Sequence, residues 1–421
     1  MTSRERVQKA LNHEEPDRPP IDLGATWVTG ISASTYARFR TALGLPDATP
    51  RIHEPYQLLG FVEEDVRRAV GVDVVGLWAP STIFGFRTDG KWKPWTMSDG
   101  TEVLVPEGFR TRVDENGDTL IYPKGDTAAE PSGRMPKGGN FFDAIVRQEH
   151  LDEDNLDPED WRESFSPYSE VDLLHFEREA ARVYDETDYA LIMNFGGGGI
   201  GDIAFVPGQN LLKPKGLRDP NLWYEYLLTH TDYIRDIFAM QTETALENME
   251  LLLQAVGDKL DAIIISGTDF GMQTGPIVSP DLFRTLWKPF YRRMNDWVHE
   301  HTRWKTFYHT DGAIAALLDD FVHMGVDILN PVQCSAAGMD PQAIKDRYGK
   351  QLVFWGGGVE TQNTLAFGTP EEVAEEVSHR TSVFAPGGGF VFSSIHNVQA
   401  RTPAENLLSA YDTLRRTTSV G

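Results

Sequence analysis

Side chains of catalytic types stand directly after short apolar runs in the second half of the chain. Asp269 follows one run, His309 and Asp311 follow the next, and His396 follows the last. Histidines and carboxylates that meet at one edge of a sheet suit proton transfer, or metal ligation through nitrogen and oxygen. We therefore predict that Asp269, His309, Asp311 and His396 are catalytic and converge on one cavity.

Three of these residues, His309, Asp311 and His396, are candidate ligands for a hard divalent metal ion. The sequence does not fix their geometry, and a metal-free site in which they orient substrate and move protons is the preferred interpretation. The single cysteine, Cys334, excludes an intramolecular disulfide and a zinc site built from several cysteines. A reducing, cytoplasmic location agrees with this cysteine usage.

Further residues near the predicted strand ends are expected to line a substrate site. Aromatic rings can stack on a ring or a cation, and polar side chains can orient a ligand. Packing of the aromatic rings inside the fold is the competing interpretation, and it applies also to Trp78. The predicted substrate-binding residues are Trp27, Phe195, Phe270, Gln333, Trp355, Glu360 and Asn397.

Eight apolar runs, most of them followed by a polar loop and an amphipathic helix, predict a parallel α/β fold. The closest fit is a (β/α)8 TIM-type barrel, whose active sites lie at the C-terminal ends of the strands. An open doubly wound sheet is the alternative, but residues 24–26 (GAT) do not form its usual glycine-rich phosphate loop. The glycines at 196–199 predict a flexible loop over the site. The predicted strands are 20–23, 72–77, 189–195, 262–265, 306–308, 328–332, 352–355 and 390–392.

The intervening helices are marked by capping residues that precede a proline, as in Asp219-Pro220, Ser279-Pro280, Asp340-Pro341 and Thr369-Pro370. Between residues 84 and 122 the pattern changes to short runs separated by Asp-Gly and Asn-Gly hairpin signals. This segment predicts an inserted β-meander, followed by an exposed connection over 123–160. We therefore predict one barrel domain over residues 1–421 with an insertion at about 84–160.

The composition narrows the classes of partner. With 39 basic and 63 acidic residues the formal charge is −24, which repels nucleic acid and anionic membranes. The chain has no apolar stretch long enough to cross a bilayer, and its first twenty residues are polar rather than signal-like. The expected partner is thus a small-molecule substrate, with neither nucleic acid nor membrane involved.

Several sequence blocks together resemble the uroporphyrinogen decarboxylase superfamily, and its methylcobalamin:coenzyme M methyltransferase-like branch more than the decarboxylases. They follow the order of that family over nearly the whole chain. The resemblance implies a distorted (β/α)8 barrel, often dimeric, with its site in a funnel at the strand ends. The blocks are SRERV (3–7), NHEEPDR (12–18), DFGMQ (269–273), HTDG (309–312), LNPVQ (329–333) and HNVQ (396–399).

The sequence departs from both of the site types that the resemblance suggests. The decarboxylases have an Arg-Gln-Ala-Gly-Arg block after the first strand, whereas residues 22–27 here read DLGATW. The thiol methyltransferases bind zinc through His-x-Cys and a later Cys. Here His309 matches their histidine, but Asp311 replaces the first cysteine, and Ser393 or Ser394 stands near the second. Cys334 follows a different strand.

The resemblance implies methyl transfer from or to a small substrate such as a methoxylated aromatic compound or a methylated amine. The second reactant would be a corrinoid protein or tetrahydrofolate. None of the eleven histidines lies in an Asp-x-His-x-x-Gly corrinoid motif, so a corrinoid would arrive on a partner protein. Two alternatives are a decarboxylase of a smaller carboxylated substrate, with Asp269 stabilising a protonated intermediate, and a non-catalytic adaptor for a corrinoid protein. The ionisable groups concentrated at the strand ends argue against the adaptor.

We predict that the purified protein does not decarboxylate uroporphyrinogen. Each substrate carboxylate left without its arginine would lose a charge-assisted bond worth about 1.5–3 kcal/mol. The measurement is coproporphyrinogen formation against a heat-killed control. Product above that control would contradict the prediction and would mean that another arginine, such as Arg38 or Arg40, reaches the substrate.

Overall fold

The structure is a computed structural model that describes residues 1–417, so the last four residues of the domain predicted over 1–421 lie outside the described part. The strands are β1 (Ile52–Glu54), β2 (Leu59–Gly60), β3 (Val74–Leu77), β4 (Trp92–Thr96), β5 (Glu102–Pro106), β6 (Thr111–Val113), β7 (Thr119–Ile121), β8 (Gly133–Met135), β9 (Asp143–Ala144), β10 (Ala190–Met193), β11 (Ala262–Ser266), β12 (Lys305–His309), β13 (Ile328–Asn330), β14 (Val353–Trp355) and β15 (Phe390–Val391).

The helices surround this sheet structure. They are α1 (Ser3–Leu11), α2 (Ala33–Ala42), α3 (Glu64–Val70), α4 (Glu170–Glu186), α5 (Pro220–Thr229), α6 (Thr231–Val256), α7 (Pro280–Leu286), α8 (Lys288–His301), α9 (Leu318–His323), α10 (Pro341–Tyr348), α11 (Thr364–Phe367), α12 (Pro370–Phe384) and α13 (Ala404–Thr417). Short 3-10 helices occupy Pro123–Gly125, Glu153–Asn155, Pro158–Ser164, Gly257–Lys259 and Ala315–Leu317. Within the described residues, no helix combines the length and apolar character needed to cross a membrane.

The architecture is mixed α/β, built on a curled parallel sheet of seven strands that is consistent with a TIM-like barrel. The strand order is β15-β14-β13-β12-β11-β10-β3, and every neighbouring pair is parallel. Each of these strands is nearly or fully buried, because helices cover one face and the interior of the curled sheet covers the other. Seven of the eight predicted runs form this sheet.

The remaining predicted run, residues 20–23, is reduced to a single bridge. Ile21 forms a parallel bridge with Phe392 beside β15, and its carbonyl accepts a hydrogen bond from the amide of Asp73 beside β3. The segment therefore lies between the two edges of the seven-stranded sheet. It does not extend into a regular strand because Pro20 has no amide hydrogen and Gly24 turns the chain at a φ of +85°.

Residues 92–144 form two antiparallel sheets away from the parallel one. Strands β4 and β5 pair with each other, and β6 to β9 pair in sequential order. Phe84, Val103, Phe109 and Ile121 are fully or almost fully buried in a separate hydrophobic cluster beneath them. Strands β8 and β9 lie in the segment expected to be an exposed connection. Three and two residues are too few to show a strand periodicity in the sequence.

Helix starts follow the predicted capping pattern. The side chains of Asp219, Ser279, Asp340 and Thr369 each accept a hydrogen bond from an amide in the first turn of α5, α7, α10 and α12. The proline that follows each of them lacks the amide hydrogen that a first helical position leaves unbonded. These caps set where each helix leaves the rim of the sheet, and hence where the loops of the site begin.

The buried carboxylate of Asp73 ties the N-terminal segment to the sheet. It accepts hydrogen bonds from Arg6 Nη1 at 2.6 Å, from Arg18 Nη1 at 2.6 Å and from the Ile21 amide at 2.8 Å. Its side chain is fully buried, whereas those of the two arginines are 9% and 21% exposed. The carboxylate is therefore the shared partner of two largely desolvated cations.

We predict that Asp73→Asn lowers the free energy of unfolding by about 3–5 kcal/mol, because both guanidinium groups lose a buried anionic partner. Urea denaturation provides the measurement. Asp319→Asn is the control, since Asp319 is 55% exposed and solvent screens its pair with Arg347, so that the substitution should change stability little. Equal losses in the two variants would contradict this account of Asp73.

Candidate active site

The C-terminal ends of three parallel strands deliver the predicted catalytic side chains. Asp269 follows β11, His309 is the last residue of β12 with Asp311 two positions beyond, and His396 lies in the loop after β15. His309 Nε2 lies 3.9 Å from Asp269 Oδ1 and 3.8 Å from Asp311 Oδ2. His396 Nε2 also lies 3.8 Å from Asp311 Oδ2. The structure thus brings all four side chains together.

Two glycines hold the aspartates side by side. A Cβ atom on Gly312, whose φ is +89°, would lie 2.4 Å from the carbonyl carbon of Gly271, so only glycine allows the two loops to touch. In this arrangement the amide of Asp311 donates to Asp269 Oδ1 at 2.7 Å. The amide of Gly312 donates to Gln333 Oε1 at 2.7 Å, which adds a third strand end to the assembly.

Asn330, which lies in the LNPVQ block but was not among the predicted site residues, orients the ring of His309. His309 Nδ1 lies 2.7 Å from Asn330 Oδ1. The amide of Asn330 is itself fixed, because Nδ2 donates to the carbonyl of Trp355 at 2.7 Å. The oxygen of Asn330 must therefore face Nδ1, which carries the proton of the neutral ring. The lone pair of Nε2 is left facing Asp269 and Asp311.

Burial shifts the ionisation of this centre toward neutral forms. It raises the pKa of Asp269, a rise that a protonated His309 would oppose. It also lowers the pKa of His396, an effect that the Asp311 carboxylate opposes. Oδ1 of Asp311 is buried without a hydrogen-bond partner among the described residues. The centre therefore has an unsatisfied hydrogen-bond acceptor that a ligand could contact.

The geometry fits a small divalent ion. His309, Asp311 and His396 each offer a ligand atom, and these atoms all lie within 4.8 Å of one another. Ligand atoms at about 2.0–2.2 Å from a tetrahedral ion lie roughly 3.3–3.6 Å apart, so the two 3.8 Å separations would close slightly and the pair of histidine nitrogens, which lies within 4.8 Å, would close to the same distance. Two imidazoles and one carboxylate would leave a coordination position open to substrate.

The centre lies between two cavities. The first has a volume of about 1040 Å³, and both Asp269 and His309 line it. The second, of about 630 Å³, is lined by Asp311 and His396. A molecule in the first cavity can therefore approach Asp269 and His309, and a molecule in the second can approach Asp311 and His396.

Some predicted substrate-binding residues reach these cavities. Trp27 and Phe195, together with Trp78, line the first cavity. Gln333 and Asn397 line the second. The amide of Asn397 is fully engaged, however, because it accepts from the Gly30 amide and donates to the Trp27 carbonyl and to Gln57. Asn397 positions the Trp27 loop and has no donor left for a ligand.

The other three predicted substrate contacts point elsewhere. Phe270 packs edge-to-face on Phe283 and Trp287 in the helix layer. Trp355 lies inside the curled sheet, where its indole nitrogen donates to Asp22 at 2.8 Å. Glu360 is 4% exposed and accepts a hydrogen bond from the backbone amide of Gln362. Their proximity to strand ends was visible in the sequence, but the direction of each side chain was not.

The glycine turn at 196–199 is anchored instead of being a flexible loop. The amides of Gly196 and Gly198 donate to the carbonyls of Ile264 and Ile265, and a Cβ atom on Gly198 would lie 2.8 Å from Ile265 Cγ2. This close packing delivers Asp202 to the first cavity. Sequence reasoning missed Asp202 because it follows a loop and not a strand.

The curled parallel sheet and a polar centre at its C-terminal rim define an α/β protein of the barrel type, with its site in the strand-end loops. Residues 220–417 match the family model described as uroporphyrinogen decarboxylase (URO-D), so this part of the chain is similar to that family. Among solved structures, the chain is similar to a methyltransferase from Methanosarcina mazei, with a TM-score of 0.53 and 15% sequence identity over 99% of each chain. At that identity the likeness concerns the fold. The comparison with curated proteins gave no match.

The buried carboxyl of Asp202 should make the stability of the fold depend on pH. Burial raises the pKa of its carboxyl to about 7, with the charge of Asp269 adding to the effect. Its folded-state pKa thus lies above the unfolded value, so ionisation of Asp202 costs stability as pH rises from about 4 to above 7. We predict that Asp202→Asn is more stable than the wild type at pH 8 by about 1–3 kcal/mol, and that this gain disappears near pH 4.

Urea denaturation across this pH range tests the prediction. Glu179→Gln is the control, because Glu179 lines the same cavity but pairs with Arg182 at 2.9 Å. That variant should show no gain in stability at pH 8. A loss of stability in Asp202→Asn at pH 8 would mean that the carboxylate has a partner that compensates its burial.

We predict that Cys334→Ser keeps the activity of the wild type on any substrate that is found. Burial raises the pKa of the Cys334 thiol to about 12, and the sulfur donates a hydrogen bond to the Val332 carbonyl at 3.3 Å. A neutral thiol is a poor nucleophile and a poor metal ligand. Simultaneous loss of activity and metal in this variant would instead identify Cys334 as a soft ligand.

Proposed function

We propose that this protein transfers a methyl group between a small organic substrate and a corrinoid protein or tetrahydrofolate. The observation that carries the proposal is the convergence of His309, Asp311 and His396 to within 4.8 Å at the meeting point of two cavities. Methyl transfer needs two reactants at one centre, and the two cavities would admit them from different sides. The fold likeness to a methyltransferase supports the same reaction class.

The four side chains take different parts in this proposal. His309 presents the lone pair of Nε2, because its Nδ1 proton is held by Asn330. His309, Asp311 and His396 would hold a divalent ion, which when bound would act as a Lewis acid on the heteroatom that carries the methyl group. Asp269, whose pKa is raised by burial, lies 3.9 Å from His309 Nε2 and would hold a proton beside that heteroatom.

The movement of electrons in methyl transfer explains why a proton or a Lewis acid is needed at this centre. The methyl group leaves as a cation equivalent, the bonding pair stays on the heteroatom of the donor, and the acceptor supplies a new pair. A poor leaving group such as an alkoxide gains most from a nearby proton or Lewis acid. Asp269 and the three candidate ligands are positioned to supply one or the other.

The two cavities suit different reactants. Aromatic side chains, including Trp27 and Phe195, line the larger cavity, which would take the small substrate. The second cavity opens beside Phe367, whose side chain is 85% exposed, and it is also lined by Arg401. We assign this second opening to the methyl carrier.

The experiment supplies cob(I)alamin as a free acceptor and follows the absorbance change that marks methylcobalamin formation. Methylated amines, alcohols and methoxylated aromatic compounds are the donors. We expect His309→Ala to lower the rate at least about a hundredfold while the far-ultraviolet spectrum and melting temperature stay close to wild type. His323→Ala, which changes an exposed histidine on α9, is the matched control and should keep full activity.

Two results would overturn the proposal. One is the absence of methyl transfer with every donor class, with both cob(I)alamin and tetrahydrofolate as partners. The other is an unfolded His309→Ala variant, which would assign His309 a structural role. The decarboxylase alternative rests on Asp269, because a carboxyl whose pKa is raised can hold a proton and deliver it to a carbanion after loss of carbon dioxide. Carbon dioxide release from a carboxylated substrate, without methyl transfer, would favour that alternative.

A further inference from the structure

We propose that the larger cavity binds its substrate through a cationic, methyl-bearing ammonium group, held between the Asp202 carboxylate and the indole ring of Trp27. The inference rests on the proposed function only because it names the chemical group by which the same substrate is bound. The reacting part of the molecule would still lie at His309 and its neighbours. Binding can therefore be measured without any methyl transfer.

The first observation is the unpaired oxygen of Asp202. The residue is 9% exposed and lines the larger cavity. Its Oδ1 accepts a hydrogen bond from the amide of Ala204 at 2.9 Å, whereas Oδ2 has no hydrogen-bond partner within residues 1–417. An oxygen of a largely buried carboxylate that lines a cavity without a hydrogen-bond partner is a favourable site for a cation.

The second observation is the aromatic surface beside that oxygen. A Cβ atom on Gly267 would lie 3.6 Å from Asp202 Oδ2 and also 3.6 Å from Trp27 Nε1. The carboxylate and the indole ring are therefore both next to Gly267. A Cβ atom on Gly196 would lie 3.0 Å from Trp27 Cη2, and one on Gly197 would lie 2.6 Å from Phe195 Cζ. Glycine at these positions lets the two rings approach the turn. Rings next to a carboxylate favour an ammonium group with apolar substituents.

The third observation is the charge balance of the cavity. The guanidinium groups that line it belong to Arg51, Arg67, Arg68 and Arg182, and each lies within 3.8 Å of a carboxylate, with Arg67 and Arg68 sharing that of Glu64. His53 does not add positive charge, because burial lowers its pKa to about 3. Glu54 adds a second buried carboxyl to the wall, bonded only to the amides of Tyr56 and Gln57 among the described residues. The cavity therefore has an excess of acidic groups that a cation would balance.

The test uses two probes of nearly the same shape, choline and 3,3-dimethylbutan-1-ol, which differ by one positive charge. Binding to the full chain is measured at pH 8 by calorimetry and by tryptophan fluorescence, with no methyl acceptor present. We expect choline to bind at least about tenfold more tightly than its neutral analogue. Asp202→Asn should remove that preference, and Trp27→Leu should weaken choline binding about tenfold.

Asp319→Asn is the control variant, because it removes a paired carboxylate that does not line the cavity and should leave both affinities unchanged. Equal affinity of the two probes, or no saturable binding of choline, would overturn the inference. So would an Asp202→Asn variant that still prefers choline. The same titration of His309→Ala separates the two proposals, since cation binding should persist there even though methyl transfer is lost.

Discussion

A chain of two hydrogen bonds across three neighbouring strands fixes the orientation of the central histidine. His309 at the end of β12 bonds to Asn330 at the end of β13, which in turn bonds to the carbonyl of Trp355 at the end of β14. The register of the parallel strands places these ends side by side, with His309 opposite Asn330. The reactive nitrogen therefore depends on strand pairing, and a shift of one residue would turn His309 away from the cavity.

The larger cavity beside this rim concentrates groups that destabilise the folded chain. Burial raises the pKa of Asp202 to about 7 and that of Glu54 to about 7, and it raises the pKa of Asp269 as well. Such groups cost stability unless a ligand or an ion compensates them. At the opposite end of the sheet, Asp73 and its arginines form a compensated buried network. The network around Asp73 therefore stabilises the fold, whereas the uncompensated carboxyls of the cavity are candidates for binding a ligand.

The sequence could predict most of the parallel sheet, because buried parallel strands appear as continuous apolar runs and the helices between them have strong caps. It could also predict that Asp269, His309, Asp311 and His396 meet, since strand ends of one sheet share one rim. It could not predict which aromatic side chains face the cavity. Phe270 and Trp355 follow the same pattern as Phe195 but face the helix layer and the sheet interior. Asp202 was hidden because its position depends on the packing of a glycine turn against β11.

The central claim is that His309, Asp311 and His396 form one centre that can hold a divalent ion. Titration of chelator-treated protein with cobalt(II), followed by the visible d–d absorption, tests it most directly. The account predicts one ion per chain in a four- or five-coordinate site, with at least about tenfold weaker binding in Asp311→Asn and in His396→Ala. Equal binding by the wild type and these variants, or no saturable binding by the wild type, would contradict it.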